Sequence, residues 1–357
     1  MADLPPQENV QVDGFEDPFE LRSAGSKGLG LYATKDLRAG DRVLVERCAI
    51  TQIHYPDFRQ RYNSLIESYG LLNPRDAARV QELYHLEDPN DREILRPIFD
   101  GAPHLSEADI QECIAVRRIH AANNFQIRPA QTDEEGNVVH ARSGVFVKAS
   151  RFNHSCDPNC YYDSTGMEGI FSCAAARPIK KGEELTIPYI SYHATTEQRQ
   201  ADLSNWGFQC QCNKCEGRDS EYDAQLEEAY EAQTSSALPR EPEPPGLGDR
   251  ERSERRILRR IELLEELQWH GELFFAYGDA AAYYNQLYSE ANELPDNMYD
   301  RLRLAELCLN YSRKKVEQGG HLWGPGDLTY EDAVEGAETM EYHCEHLRKI
   351  IAELEKS

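Results

Sequence analysis

The sequence predicts an α+β chain: a compact fold of short β-strands interrupted by a helical insert, then an all-helical C-terminal domain. Three observations carry this. Strand-like runs with glycine turns recur before residue 50 and again between 144 and 187, while residues 55–125 take helical spacing. The stretch Thr234 to Arg250 holds Pro239, Pro242, Pro244 and Pro245 with Gly246 and Gly248, the composition of a linker. Beyond it, Ile257, Ile261, Leu264 and Leu267 recur at helical spacing.

In order, residues 1–17 are polar with scattered prolines and are expected to be loose. Phe19 to Ala24, Leu31 to Thr34 and Arg42 to Arg47 read as strands, joined by Ser26-Lys27-Gly28-Leu29-Gly30 and by Leu37-Arg38-Ala39-Gly40-Asp41. The Gly28-x-Gly30 pair lacks the third glycine of a dinucleotide fingerprint and the Gly-Lys-Ser/Thr ending of a phosphate loop, and it leads into a strand. On its own it is a bend in a hairpin. In the insert, Asn73-Pro74 marks one helix start, and Ser106 with Asp109 forms a capping box for a helix ending near Asn123-Asn124-Phe125. Strands return at Gly144–Lys148, Gly169–Ala174 and Leu185–Ile187. This irregular run of strands is not a βαβ repeat. In the C-terminal part, Asp279 and Asp296 are candidate helix caps, Gly319-Gly320 a candidate stop, and Thr329 with Asp332 a second capping box. These helices suit a bundle of antiparallel pairs, and no repeat signature marks them as an array.

Composition narrows the function. The chain has 357 residues, 40% hydrophobic and 29% charged, which is enough for two domains and a sizeable core. Sixty-three acidic against 39 basic residues give a formal charge of -24. That field repels nucleic acid and anionic membranes and favours a basic partner. The six arginines between Arg250 and Arg260 are interleaved with Glu251 and Glu254, which reads as a solvated helix face. No run approaches about 18 apolar residues and the start has no basic, apolar leader. The expectation is therefore an intracellular protein, in the nucleus, the cytoplasm or both, with its ten cysteines reduced or metal-bound.

Cys210-x-Cys212-x-x-Cys215 offers three thiols within six residues. Zinc takes four soft ligands in a tetrahedron, and a thiol-rich set marks a structural site. The fourth ligand must come from elsewhere: Cys156 is the first candidate, Cys160 the second and Cys173 the third. A zinc hydrolase is excluded by ligand type, since nothing like His-Glu-x-x-His is present.

The centre of the chain is Arg151-Phe152-Asn153-His154-Ser155-Cys156-Asp157-Pro158-Asn159-Cys160. Alone, Asn153 reads as a turn residue, His154 as a structural histidine, and Tyr189 and Tyr192 as packed aromatics. Taken in order, Asn153-His154-Ser155-Cys156, then Gly182-Glu183-Glu184-Leu185-Thr186 with Tyr189, then the cysteine knuckle, with Lys27-Gly28-Leu29-Gly30 upstream, resemble the SET-domain protein-lysine methyltransferases. The knuckle resembles their post-SET zinc site, and the order is nearest to the SET and MYND subfamily and its fungal relatives. The resemblance covers roughly residues 18 to 217. It departs in three places. Residues 51–120 hold only Cys113, so no MYND finger can form there; Pro188 precedes the catalytic-position tyrosine; and Trp206 stands where the subfamily tends to place a tyrosine.

The resemblance implies a SET domain over 18–193, with its insert at about 51–125, and a post-SET zinc-binding region over 194–217. A linker over 218–250 and a helical domain over 251–357 follow. It implies transfer of methyl groups from S-adenosylmethionine to lysine side chains of a basic protein, histone or not, with structural zinc on Cys156, Cys210, Cys212 and Cys215. The cofactor site it implies comprises Lys27, Gly28, Leu29, Gly30, Asn123, Ser150, Phe152, Asn153, His154, Tyr189, Trp206 and Phe208. Lys27 and Leu29 would flank the methionine end, Asn123 would hold its polar end, and Asn153 would bond its amino acid part. His154 would meet the adenine, partly through its backbone, with Phe208 covering it, and the Tyr189 hydroxyl would stand at the transfer point. The other reading is a catalytically inactive SET module acting as a zinc-containing scaffold. In either, the C-terminal helices are a candidate surface for a protein partner.

Overall fold

The computed structural model describes residues 16–356 apart from 86, 102–103, 133–137, 165–168, 191–194, 217–219, 235–247, 268, 292–297 and 323–327. Asp296, Tyr192 and most of the proline-rich stretch lie outside the described residues. The chain divides into two compact units: one takes in the chain up to His154 with Tyr162–Ile187 and Asn205–Phe208, the other Ser155–Tyr161, Pro188–Ser204 and the chain from Gln209 onward.

The first unit is built on three small sheets. β1 (Phe19–Ser23) and β2 (Leu29–Ala33) form an antiparallel hairpin. β10 (Glu184–Ile187) adds antiparallel to β2, and the two-residue β7 (Asn153–His154) pairs parallel to β10, with Thr186 opposite Asn153 and Ile187 opposite His154. The sheet order is β1-β2-β10-β7, so β10 stands between the glycine bend and the Asn-His pair. β3 (Arg42–Arg47), β9 (Ile170–Ala175) and β8 (Cys160–Asp163) form a second sheet in the order β3-β9-β8. β4 (Ile50–Ile53), β6 (Val138–Val145) and β5 (Asn124–Thr132) form the third, in the order β4-β6-β5.

The insert is helical, as its periodicity predicts: α1 (Phe58–Gly70), α2 (Pro74–Gln81), α3 (Asp91–Phe99) and α4 (Glu107–Asn123). Both predicted starts form. Asn73 accepts from the Asp76 amide ahead of Pro74, and Ser106 with Asp109 makes a reciprocal capping box, which satisfies orphan N–H groups of the first turn. Leu65, Val80, Val116 and Ile119 pack with Ile50 and Val145, fastening the insert to the third sheet. Within the buried core, the rings of Phe125, Phe146, Phe152, Tyr162 and Phe171 meet edge-to-face, tilted or stacked.

In the second unit, α5 (Thr196–Leu203) and α6 (Ser220–Thr234) precede α7 (Asp249–Glu266), α8 (His270–Ala291), α9 (Met298–Leu322) and α10 (Leu328–Leu354). Several expectations are corrected here. Much of the stretch read as linker over 218–250 is helical: α6 buries Tyr222, Leu226 and Ala229. Asp279 lies inside α8, not at a cap, because its carboxylate accepts from Arg260 at 2.6 Å. Gly319-Gly320 does not stop α9, since the missing Cβ at Gly319 makes room for the ring of Phe274, 2.9 Å from where a Cβ would stand. Thr329 lies within α10. The arginine run is solvated only in part: Arg250 is exposed, while its far end turns inward. Arg260 is buried between Glu272 and Asp279, Arg259 pairs with Glu228 and Glu262, and Arg250 pairs with Glu290. No described helix is long and apolar enough to cross a membrane.

One position in the third sheet tolerates no side chain. A Cβ on Gly144 of β6 would stand 2.2 Å from Cys48 Sγ and 2.5 Å from Ile127 Cδ1. Gly144→Ala is expected to lower stability by about 1–3 kcal/mol, the usual cost of overpacking. Adding Cys48→Ala should return part of it, as read by denaturant unfolding of both variants. An unchanged midpoint for Gly144→Ala would contradict the packing described.

Candidate functional site

The first unit brings together most of the residues singled out in the sequence. Its centre is Glu184 at the start of β10. One carboxylate oxygen accepts from Lys27 Nζ at 2.5 Å and the other from Asn153 Nδ2 at 2.7 Å. Nδ2 also donates to the Leu29 carbonyl at 3.2 Å. Side chains two apart on a strand share a face, so Glu184 lies on the face of Thr186, whose partner across the parallel pairing is Asn153. Three distant pieces of chain thus meet at one carboxylate.

The two glycines of the bend do different work. Gly28 sits at φ +80 with open space around it, so its requirement is conformational. Gly30 has an ordinary backbone, but a Cβ there would stand 2.7 Å from Asn153 Nδ2 and 2.9 Å from Glu184 Oε1. Its requirement is close approach. Leu29 between them is 46% exposed, an apolar side chain left open at the bend.

Upstream of Asn153, a 3-10 turn over Ala149–Arg151 carries Ser150. Glu46 of β3 fixes this turn, accepting from the amides of Lys148 (2.8 and 3.0 Å) and Ala149 (2.8 Å). Burial pushes the Glu46 carboxyl up to about 7 despite these bonds. The Ser150 hydroxyl is buried with no hydrogen-bond partner among the described residues. A buried hydroxyl without a partner is costly and calls for a ligand or water.

His154 is buried, with its ring 6.1 Å from that of Phe208 at an interplanar angle of 47°. Trp206 donates its indole N–H to the Ala122 carbonyl at 3.2 Å, next to Asn123 at the end of α4. Asn123 is buried and its NH2 group is spent on the carbonyls of Ile119 and Tyr84, both at 2.7 Å, which leaves its carbonyl oxygen for any ligand. Phe152 departs from expectation. It is 1% exposed and its ring packs on Phe19 and Phe171, so its side chain belongs to the core and only its backbone could line a site. Tyr189 lies two residues past β10, half-buried, in the part of the chain assigned to the second unit. The residues that sequence reasoning did not single out are Glu184 and Glu46. Glu184 was visible within the Gly182-Glu183-Glu184 motif, whereas nothing local marks Glu46, whose partners are about a hundred residues away.

The second unit holds a thiol cluster. The sulfurs of Cys156, Cys210, Cys212 and Cys215 all lie within 4.8 Å of one another, with Cys156 and Cys215 at 3.5 Å, so these four side chains could hold a metal ion. Of the three cysteines considered for the fourth position, Cys156 is the one whose sulfur lies in this cluster, while Cys160 and Cys173 are buried outside it. Hydrogen bonds with Cys210, Cys212 and Cys215 push the Cys156 thiol up, and the bond with Cys156 brings the Cys212 thiol down to about 6. The turn is gripped from α5, where Gln200 exchanges two hydrogen bonds with the Cys210 backbone, at 2.7 and 2.9 Å. Arg199, fully buried, donates to the Lys214 carbonyl at 3.1 Å and to Cys215 Sγ at 3.7 Å. Lys214 in turn donates to the Leu267 carbonyl at 2.5 Å, and both cations stand over the Trp269 ring. The cluster is thereby tied to the junction of α7 and α8.

Residues 28–190 match the family model of the SET domain. The chain is similar to the histone-lysine N-methyltransferase SET5 of Scheffersomyces stipitis, 44% identical over 82 residues, 22% of this chain and 17% of that protein. It is similar to the histone-lysine N-methyltransferase SMYD3 of Mus musculus, 36% identical over 167 residues, 42% of this chain and 37% of that protein. Its Homo sapiens counterpart is 29% identical over the same length. The match thus spans well under half of these relatives. The stretch matched by the family model contains the glycine bend, the Asn-His strand and β10 with its glutamate.

Proposed function

We propose that the protein transfers methyl groups from S-adenosylmethionine to lysine side chains of a basic protein substrate, histone or non-histone, inside the cell. The observation that carries this is the meeting of Lys27, Gly30, Asn153 and Glu184 within the stretch that matches the SET domain, with Asn153 three residues after a buried Ser150 hydroxyl that has no hydrogen-bond partner among the described residues. The division proposed with it is a SET domain to about residue 193, a zinc-binding stretch to 217, and helices beyond.

The residues suit this cofactor. Asn153 turns its NH2 toward two acceptors and its carbonyl oxygen away from them, and the Asn123 carbonyl oxygen is likewise unspent by its NH2 bonds. Two acceptors match an ammonium group. The Ser150 hydroxyl and the His154–Phe208 ring pair offer a polar contact and an aromatic corner for a planar base, with Lys27 and Leu29 at the other end. Trp206 would shape the lysine channel. When bound, S-adenosylmethionine supplies a methyl group on a sulfonium, and the protein must align the acceptor and keep it neutral. Alignment supplies much of such an acceleration. A lysine amine drawn out of water beside a positive charge loses its proton more readily. Tyr189 would orient the amine through its hydroxyl rather than take its proton. The charge of -24 draws in a basic substrate.

Structural zinc is proposed on Cys156, Cys210, Cys212 and Cys215. Four thiolates around a divalent ion leave a net negative charge, and the buried cations Arg199 and Lys214 in the same unit offset it.

Two measurements test this. Cell extract given a tagged methyl donor should show labelled lysine-containing protein with the wild-type enzyme. Tyr189→Phe should lower labelling by about a hundredfold or more while cofactor binding persists. Binding without any labelled protein would instead favour an inactive scaffold. Metal analysis should find about one zinc per chain, and Cys156→Ser or a strong chelator should remove it and lower the melting temperature. A metal-free protein of unchanged stability would overturn the zinc assignment.

A further inference from the structure

Glu184 is half-buried at the head of an inner strand of its sheet, and its carboxylate touches Lys27 of the glycine bend and Asn153 of the neighbouring β7. An asparagine amide has two ends of nearly equal shape, one donating and one accepting, and what it recognises depends on which end faces outward. At Asn153 the inner side offers two acceptors, the Leu29 carbonyl and the Glu184 carboxylate. The carboxylate is the closer of the two and charged, so its bond is the stronger. It commits Nδ2 inward and Oδ1 outward. The absence of a Cβ at Gly30 lets the carboxylate and the amide meet at all.

We infer that Glu184 is a positioning residue which locks the amide of Asn153 with its carbonyl oxygen toward the ligand, so that the site selects a methyl donor carrying a free α-ammonium group. This rests on the proposed cofactor site and names what sets its selectivity. Glu184 also holds the Lys27 ammonium, which restrains the glycine bend against β10. Glutamine in its place presents a donor as readily as an acceptor. The amide of Asn153 is then held inward by the Leu29 carbonyl alone, and its flipped form becomes accessible.

The test compares S-adenosylmethionine with its analogue lacking the α-amino group, on wild-type protein, Glu184→Gln and Gly30→Ala, by calorimetric titration. Wild-type protein should bind the natural donor far more tightly than the analogue. Glu184→Gln should weaken binding of the natural donor about tenfold or more, the effect of one lost charge-assisted hydrogen bond, while leaving the analogue within about twofold. Selectivity then collapses, whereas loss of folding alone would weaken both ligands in proportion. Under saturating donor, kcat should change little while KM for the donor rises. Gly30→Ala, by forcing the carboxylate from the amide, should reproduce the loss of selectivity. Melting curves of each variant report folding separately. A Glu184→Gln protein that binds wild-type-like, or that weakens both ligands equally, overturns the inference. Failure of the wild type to bind the natural donor overturns the cofactor site itself.

Discussion

The first unit depends on one close approach. β2, β10 and β7 lie side by side, and Gly30, Glu184 and Asn153 meet where a single Cβ would hold them apart. Everything that gives the site a chemical character follows from that contact. The carboxylate fixes a cation on one side and an amide on the other, and the glycine bend cannot drift from the Asn-His strand while both bonds hold. The energies involved are individually modest, on the order of 1.5–3 kcal/mol for a hydrogen bond to a charged group. The consequence is larger than the energy, because direction decides what an amide recognises.

The second unit uses charge in another way. Four thiols packed within 4.8 Å cannot all ionise together without a cation among them. The surrounding cations do not point into solvent. Arg199 and Lys214 are buried, stacked near Trp269, and bonded to backbone carbonyls of the knuckle and of the end of α7. Trp269 is itself fixed through its indole N–H to the Tyr222 hydroxyl at 3.1 Å. The knuckle is therefore continuous with the helices that follow it, and α6 supplies part of that continuity where composition near the prolines suggested a linker. α5 joins in through Thr196, which bonds Asp223 of α6 through both its amide and its hydroxyl at 2.9 Å.

How much was legible divides along a physical line. Signals that act within one or two turns of chain read correctly: the Ser106–Asp109 capping box, the Asn73-Pro74 start, β3 to its ends, and the order of strands around the glycine bend. The thiol cluster was legible because tight cysteine spacing has few other uses, whereas the central motif offered both Cys156 and Cys160 as its fourth member, and only the fold brings Cys156 to the other three. The misses came where a distant partner overrode a local preference. Asp279 has the composition of a cap, but Arg260 holds it inside α8. Gly319 would stop a helix in isolation, but the ring of Phe274 needs its space. Phe152 sits within the motif but faces the core, because its ring packs on Phe19 and Phe171, far from it in the chain. Glu46 carries no local mark of its role, since its partners are about a hundred residues away, and Glu184 is marked only as part of a motif.

The central claim is that the Glu184–Asn153 contact shapes a pocket for S-adenosylmethionine. A crystal structure of the protein with S-adenosylhomocysteine tests it most directly. The account predicts the ligand's ammonium on Asn153 Oδ1, its adenine beside His154 and Phe208, and the Ser150 hydroxyl newly partnered. A ligand bound elsewhere, or an Asn153 amide turned with Nδ2 toward it and away from Glu184, would contradict the account.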